Sequence, residues 1–172
     1  MSIRTVKYMG EKCLETVSTE MSLSDPALKQ LIPDMFETMK SAEGIGLAAP
    51  QIGVNQRVLV FGFETSRRYP NRSPVPYTAL VNPKLEILTD DIEYDWEGCV
   101  SLPKLRGYVP RFSKIRYEGF DENGKQVSRV VEGFHARLVQ HEYDHLEGIL
   151  FHERITDRKR FGFEDVLFPE IY

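Results

Sequence analysis

Apolar residues recur at three- and four-residue spacing after the segment Ser24-Asp25-Pro26. That spacing places them on one face of a helix, and a capping side chain followed by proline is typical of a helix start. The stripe consists of Leu28, Leu31, Ile32, Met35, Phe36 and Met39. It predicts an amphipathic helix that ends near Gly44 and is irregular near Pro33, because proline removes a backbone hydrogen bond.

Strand-like patterns follow in the middle of the chain. Residues 57–63 (RVLVFGF) are rich in β-branched and aromatic side chains and predict a buried strand. The polar segment 64–77 contains three prolines and predicts an exposed loop. Residues 80–82 and 85–88 predict two short strands, with a bend or a sheet edge at Pro83.

Towards the C-terminus the pattern changes from strand to helix. Asn123-Gly124 lies within residues 114–132 and predicts a hairpin, since this dipeptide tolerates positive φ. A helix is expected over roughly 133–147, ended by Gly148. The tail from Phe161 to Tyr172 is mixed and shows no long amphipathic pattern. Strands with helices on either side of them in the chain predict an α+β fold.

Composition narrows the class of protein. The 172 residues predict one domain, 1–172, and 22 Lys+Arg against 26 Asp+Glu give a net charge of −4. This balance argues against nucleic-acid binding and against an anionic membrane surface. The sequence shows neither an apolar run of membrane-spanning length nor an apolar signal segment near its start. We therefore expect a cytoplasmic protein, in which Cys13 and Cys99 stay reduced.

The strongest chemical signal lies in the predicted second helix, where the sequence reads Gln140-His141-Glu142-Tyr143-Asp144-His145. Residues four apart share a helix face, so His141 and His145 can bind one metal ion. Glu142 is rotated by about 100° and can reach a water beside that ion. Two solvated surface histidines are the alternative, and we favour the metal. Asp144 either accepts a bond from a ligating imidazole or lies on the helix surface.

A catalytic ion usually has three protein ligands, and spacing alone does not fix the third. His135 is six residues before His141 and falls off the metal-facing side, while His152 lies beyond the helix-ending glycine. Cys13 is better explained as a small core residue. Cys99 lies in the turn-like segment Trp96–Pro103 and is modestly favoured, against the alternative of a plain buried cysteine.

A third segment, residues 44–53 (GIGLAAPQIG), is rich in small side chains. It lacks the third glycine of a dinucleotide fingerprint and the Gly-Lys-Ser/Thr ending of a phosphate loop. Small residues allow another backbone to approach, which suits an extended peptide that adds as a strand. A tightly packed connection explains the segment equally well.

Together, these segments resemble the motifs of the peptide deformylase family. The family's Gly-x-Gly-x-Ala-Ala-x-Gln and Glu-Gly-Cys-x-Ser occur here in order at residues 44–51 and 97–101, and its His-Glu-x-x-His follows at residues 141–145, preceded by Gln140. The resemblance implies mainly antiparallel sheets packed around a metal-binding helix. It also implies that Cys99, His141 and His145 bind one divalent ion, Fe²⁺ in the cell, for which Zn²⁺, Ni²⁺ or Co²⁺ can substitute.

The same resemblance implies the reaction: hydrolysis of the formyl group from N-terminal formyl-methionine, with release of formate. Glu142 would act as general base and then general acid, and the Gln51 amide and the Val100 backbone N–H would stabilise the oxyanion. The residues matched to substrate binding are Ile45, Gly46, Arg106, Phe134 and Leu138. Arg137 departs from the family, since an aliphatic residue is common there, so the shape of the pocket rim stays open.

The implied partners are formyl-methionyl nascent peptides close to the ribosome, although the tail offers no clear docking helix. Two alternatives remain at this point. One is a His-Glu-x-x-His metallopeptidase, with His152 or Glu153 as the third ligand. The other is a metal-binding module without catalytic activity.

Overall fold

The computed structural model describes residues 2–170, and this part contains eight strands and three α-helices. The strands are β1 (Gly46–Ala48), β2 (Val58–Phe63), β3 (Val75–Ile87), β4 (Ile92–Cys99), β5 (Leu102–Phe112), β6 (Lys114–Phe120), β7 (Gln126–Glu132) and β8 (Phe161–Phe163). The helices are α1 (Leu28–Ser41), α2 (Gly133–Leu146) and α3 (Glu164–Leu167). All paired strands run antiparallel, so the predicted α+β class is confirmed.

The larger sheet has the strand order β1-β2-β3-β6-β7 and is covered on both faces. Along β2, Val58 and Val60 pack with α1, whereas Leu59 and Phe61 point to the opposite face and pack with α2. A strand buried on both sides reads as a continuous apolar run, which explains the pattern of residues 57–63. The sheet thus holds α2 at a fixed place on one of its faces.

The structure has one long strand where the sequence predicts the end of a loop (64–77) and two short strands (80–82 and 85–88). The loop ends at residue 74, and β3 runs without interruption through Pro83 in the centre of the sheet. Proline cannot donate to a neighbouring strand, and the register shifts between Val81 and Lys84 at that place. Asn82, with φ of 51°, supplies the local bend. Of the two alternatives predicted for Pro83, the bend is therefore present, as a bulge, and the sheet edge is wrong.

The smaller sheet, β4-β5-β8, was not predicted. Its main part is the long β4–β5 hairpin, whose tip carries Cys99. Between residues 161 and 170 the only helix is α3, with four residues, so the expectation of no long amphipathic helix holds up to residue 170. Residues 171–172 of the predicted tail lie outside the described part.

Both predicted long helices are present. Helix α1 continues through Pro33 without a break, contrary to the irregularity expected there. Helix α2 ends next to Gly148, whose φ of 70° suits the left-handed position that closes a helix. Across residues 2–170, no helix combines the length and the apolar character needed to cross a bilayer.

Candidate active site

Three potential metal ligands meet where the β4–β5 tip touches α2. The ligand atoms of Cys99, His141 and His145 all lie within 4.8 Å of one another. Cys99 Sγ is 3.3 Å from His145 Nε2, and the three residues are 5 %, 8 % and 1 % exposed. The histidines are one turn apart on α2, as the spacing predicts, whereas the cysteine arrives from the hairpin.

Glu97 orients one of these histidines. Its Oε2 lies 2.9 Å from His141 Nδ1, which leaves Nε2 of the ring for the ligand cluster. Arg111 binds the same carboxylate through two hydrogen bonds of 2.9 and 3.0 Å. Burial opposes the charge on Glu97, but the adjacent Arg111 and His141 hold its pKa well below the usual range. Glu97 is thus a buried, ionised anchor.

Asp144 does not bind an imidazole. It is buried, and its carboxylate accepts hydrogen bonds from Arg111 at 2.6 Å and Arg154 at 2.7 Å. Neither role considered from the sequence applies, because Arg111 links this carboxylate to Glu97 inside the protein. Asp144 therefore supports the group that positions His141.

The donor set fits a divalent cation. Burial and the neighbouring His141 lower the pKa of His145 well below its usual value, which favours the neutral ring that a metal requires. Burial opposes a charge on His141, yet its contacts with Cys99 and Glu97 raise its pKa. One sulfur and two ring nitrogens suit late first-row divalent ions, and three ligands leave a position open.

Glu142 lies beside this cluster and against β1. A Cβ placed on Gly46 would lie only 2.2 Å from Glu142 Oε1, so the carboxylate occupies the space that a side chain there would fill. Burial raises the pKa of Glu142 to about 7. Its Oε2 is buried without a hydrogen-bond partner among residues 2–170. A carboxylate with this pKa can both take up and release a proton near neutral pH.

Gln51 brings an amide donor to the same place. Its Oε1 accepts a 2.8 Å hydrogen bond from the Ala48 backbone, which fixes the orientation of the amide. The Nε2 atom then lies 3.3 Å from Cys99 Sγ and 3.1 Å from Ser101 Oγ. The side chain is thus held rigidly beside the ligand cluster.

A cavity opens directly onto the cluster. Of the residues matched by resemblance, its wall contains Ile45, Gly46, Gln51, Cys99, Val100, Phe134, Leu138, His141 and Glu142. Strand β1 lies at the edge of its sheet and pairs only with β2 within the described chain. Its other edge pairs with no strand among residues 2–170, and the Ile45–Gly46 end of that edge lines the cavity, where an extended peptide could be added.

Two arginines near the cavity are held by hydrogen bonds to neighbouring residues. Arg106 lies outside the cavity wall, in an adjacent groove, where it bonds Glu164 at 3.1 Å and Tyr69 at 3.3 Å. Arg137 touches the wall, but its guanidinium points to Glu97 at 2.8 Å and to backbone carbonyls of β4 and β5. Its guanidinium is therefore part of the buried ion pairs around Glu97 and does not shape the pocket rim.

Some residues of the site were missed by the sequence analysis. The sequence pattern does not indicate a role for Arg111, Arg68 or Tyr69, and it marks Glu97 only as part of a motif. One signal was present, because Glu97 is two positions before Cys99 and alternate strand residues share a face. Cys13, His135 and His152 do not join the ligand cluster, in agreement with their expected structural role.

The chain is similar to known proteins over nearly its full length. The family model described as "Polypeptide deformylase" matches residues 3–161. "Peptide deformylase 2" of Ralstonia nicotianae is 51 % identical over 98 % of this chain and 96 % of its own length. "Peptide deformylase 1" of Bordetella pertussis is 52 % identical over 98 % of this chain and 97 % of its own length.

Solved structures give the same result. A class I type b peptide deformylase from Acinetobacter baumannii, bound to Met-Ala-Ser, has a TM-score of 0.86 at 36 % identity and covers 90 % of this chain and 100 % of its own. A peptide deformylase from Synechococcus elongatus in complex with actinonin has a TM-score of 0.82 at 35 % identity, covering 97 % of this chain and 85 % of its own.

Proposed function

The chain belongs to the polypeptide deformylase family, and we propose that its cavity removes the formyl group from N-terminal formyl-methionine of new proteins and releases formate. The observation that carries this proposal is the arrangement of Cys99, His141 and His145 beside the Glu142 carboxylate. The open edge of β1 next to them provides a place for the peptide.

Cys99, His141 and His145 would hold the metal ion, and we assign Fe²⁺ as the native ion, with Zn²⁺, Ni²⁺ or Co²⁺ as substitutes. The mixed sulfur and nitrogen donors support an ion of this group. A bound divalent ion makes water more acidic and polarises a carbonyl oxygen. The Glu97 hydrogen bond keeps His141 in the orientation that coordination needs.

Glu142 is the general base and then the general acid. Its carboxylate takes a proton from the attacking water and later delivers it to the amine that leaves the formyl carbon. The elevated pKa of about 7 suits both steps, because the group is neither too weak a base nor too weak an acid near neutral pH. The burial that raises the pKa also keeps bulk water away from the transfer.

Gln51 and Val100 stabilise the negative charge that develops on the formyl oxygen. The donors are the Gln51 Nε2 amide and the Val100 backbone N–H. The fixed orientation of the Gln51 amide supports this role, because a donor already in place does not have to reorganise during the reaction. Loss of one such donor costs about 10²–10³ in rate.

The substrate binds as an added strand. Backbone groups of Ile45 and Gly46 hold the peptide, while Ile45, Phe134 and Leu138 surround the methionine side chain. Arg106 supports substrate binding indirectly, because it donates a hydrogen bond to Tyr69, which lies in the cavity wall. The chain acts as a single catalytic domain over 1–172, in which α2 packs against strands of both sheets.

We place the enzyme in the cytoplasm, close to ribosomes, because its substrates are nascent chains. The mildly negative overall charge gives no reason to expect direct nucleic-acid binding. The described C-terminal segment contributes only the four-residue α3, so we assign it no docking role.

A formate assay on anaerobically purified protein, with metal analysis of the same sample, tests the proposal. Formyl-Met-Ala-Ser should release formate, and Met-Ala-Ser should remain uncut. E142A should keep the metal and lose turnover, whereas C99A should lose the metal. Peptide-bond cleavage without formate would instead support a metallopeptidase, for which His152 and Glu153 lie outside the ligand cluster. Metal binding with no turnover at all would indicate a non-catalytic module.

A further inference from the structure

The loop between β2 and β3, residues 64–74, contributes Arg68 and Tyr69 to the wall of the cavity. Arg68 lies in the wall of the cavity and also in both grooves that adjoin it. Arg67 lines the same two grooves, and Tyr69 lines the cavity and one of them. Two consecutive arginines therefore stand where the active site opens outwards.

The cavity wall indicates the direction in which a peptide leaves the site. Gly46 is packed against Glu142, and the two residues before it in the chain, Ile45 and Gly44, also line the cavity. The first adjoining groove begins at Gly44 and Ile45 and continues to Lys40, Arg67 and Arg68. Because an extended chain advances about 3.3 Å per residue, side chains within the first few positions after methionine reach this groove.

Half of the charged residues that line the two grooves are already paired. Arg72 pairs with Asp95, and Arg106 pairs with Glu164 at 3.1 Å. Within residues 2–170, Arg67 and Arg68 make no ion pair. The unpaired groups are the cations Lys40, Arg67 and Arg68 and the single anion Glu43.

We propose that this basic rim, defined as Lys40, Arg67 and Arg68, makes the enzyme prefer formyl-methionyl peptides with acidic side chains in the positions that follow methionine. The inference rests on the proposed function and adds a substrate class to it. The local excess of positive charge contrasts with a net charge of −4 for the whole chain. Such a patch attracts carboxylates during encounter and repels lysines.

The size of the preference follows from the exposure of the rim. Solvent-exposed ion pairs are weak and are screened by salt, so two or three of them give a preference of about three- to tenfold. The effect should appear mainly in KM, because a weak, exposed ion pair with the peptide changes how well the peptide binds and does not alter the ligand cluster or Glu142. It should fade when the ionic strength is raised.

The test compares formyl-Met-Ala-Glu-Glu-Ser, formyl-Met-Ala-Gln-Gln-Ser and formyl-Met-Ala-Lys-Lys-Ser by formate release. We expect kcat/KM to fall in this order, by about three- to tenfold from the first to the last at low salt. At 0.5 M NaCl the three values should converge. Equal values at low salt, or a ranking that salt does not change, would overturn the inference.

Two double variants separate the rim from bulk charge. R67Q/R68Q should bring the three peptides close to equal kcat/KM. R116Q/K125Q removes the same charge from β6 and the turn after it, and should keep the wild-type ranking. If both double variants reduced the differences in kcat/KM among the three peptides equally, the preference would come from bulk charge and not from the basic rim. If no peptide releases formate, the proposed function fails, whereas equal release from all three contradicts only the preference.

Discussion

The contact between Gly46 and Glu142 gives the sharpest prediction. An added Cβ at residue 46 would lie 2.2, 2.6 and 2.8 Å from Oε1, Cδ and Cγ of Glu142, whereas ordinary contact starts at 3.4 Å. The carboxylate oxygen would have to move by 3.4 − 2.2, or about 1.2 Å. Since the clash includes Cγ as well, the whole side chain must change its conformation.

A displacement of this size removes the base from its working position. Misplacement by about 1 Å can cost about 10² in rate, and complete loss of general acid–base catalysis costs about 10²–10⁴. We therefore expect G46A to lower kcat by at least about 10² while the metal content stays that of the wild type. Formate release under saturating peptide, with metal analysis of the same samples, measures both quantities.

A double-mutant cycle shows whether Gly46 acts through Glu142. G46A/E142A should be no slower than E142A alone, because the displaced group is already absent. The matched control is G162A, since a Cβ on Gly162 meets its nearest atom at 3.7 Å and fits without movement. Multiplicative losses in the double variant, or a G46A enzyme with more than a tenth of wild-type kcat, would refute the reasoning.

Three further predictions concern groups around the site and the core. E97Q should weaken zinc binding by about 10- to 100-fold, as competition with a chelator would show, because His141 loses its charged partner; unchanged affinity would contradict this role. R137L should lower stability by about 1–3 kcal/mol in urea unfolding, since it leaves two backbone carbonyls without their donor. It should not change the preference for methionine over norleucine, and a changed preference would place Arg137 in the pocket. Burial lowers the pKa of His135 from 6.5 to about 4. Between pH 6.5 and 4 the unfolded chain therefore binds a proton at this histidine that the folded protein does not bind, so the free energy of unfolding decreases as the pH falls through this range. H135L should lose less free energy of unfolding than the wild type between pH 7.5 and 5, and parallel curves for the two proteins would contradict this.

The part of the site that lies on α2 could be predicted because it is local. Helical geometry alone brings His141 and His145 to one face, and Glu142 follows from the same turn. Cys99 could not be assigned from spacing, since it reaches the histidines only through the β4–β5 hairpin, 46 residues before His145. A contact of this kind depends on how the hairpin packs against α2, and no pattern within either segment reports it.

The β4–β5 hairpin was missed for a reason that belongs to the site itself. Strand prediction expects apolar residues on the buried face, but β4 and β5 carry Glu97 and Arg111 there, both nearly inaccessible to solvent. Burying these charges is tolerated only because they neutralise each other and bond to Arg137, Asp144 and His141. These charged residues make the strands unrecognisable by hydrophobic pattern, and the same residues hold the metal-binding histidine in place. Local sequence rules fail here because the strands serve the site as well as the fold.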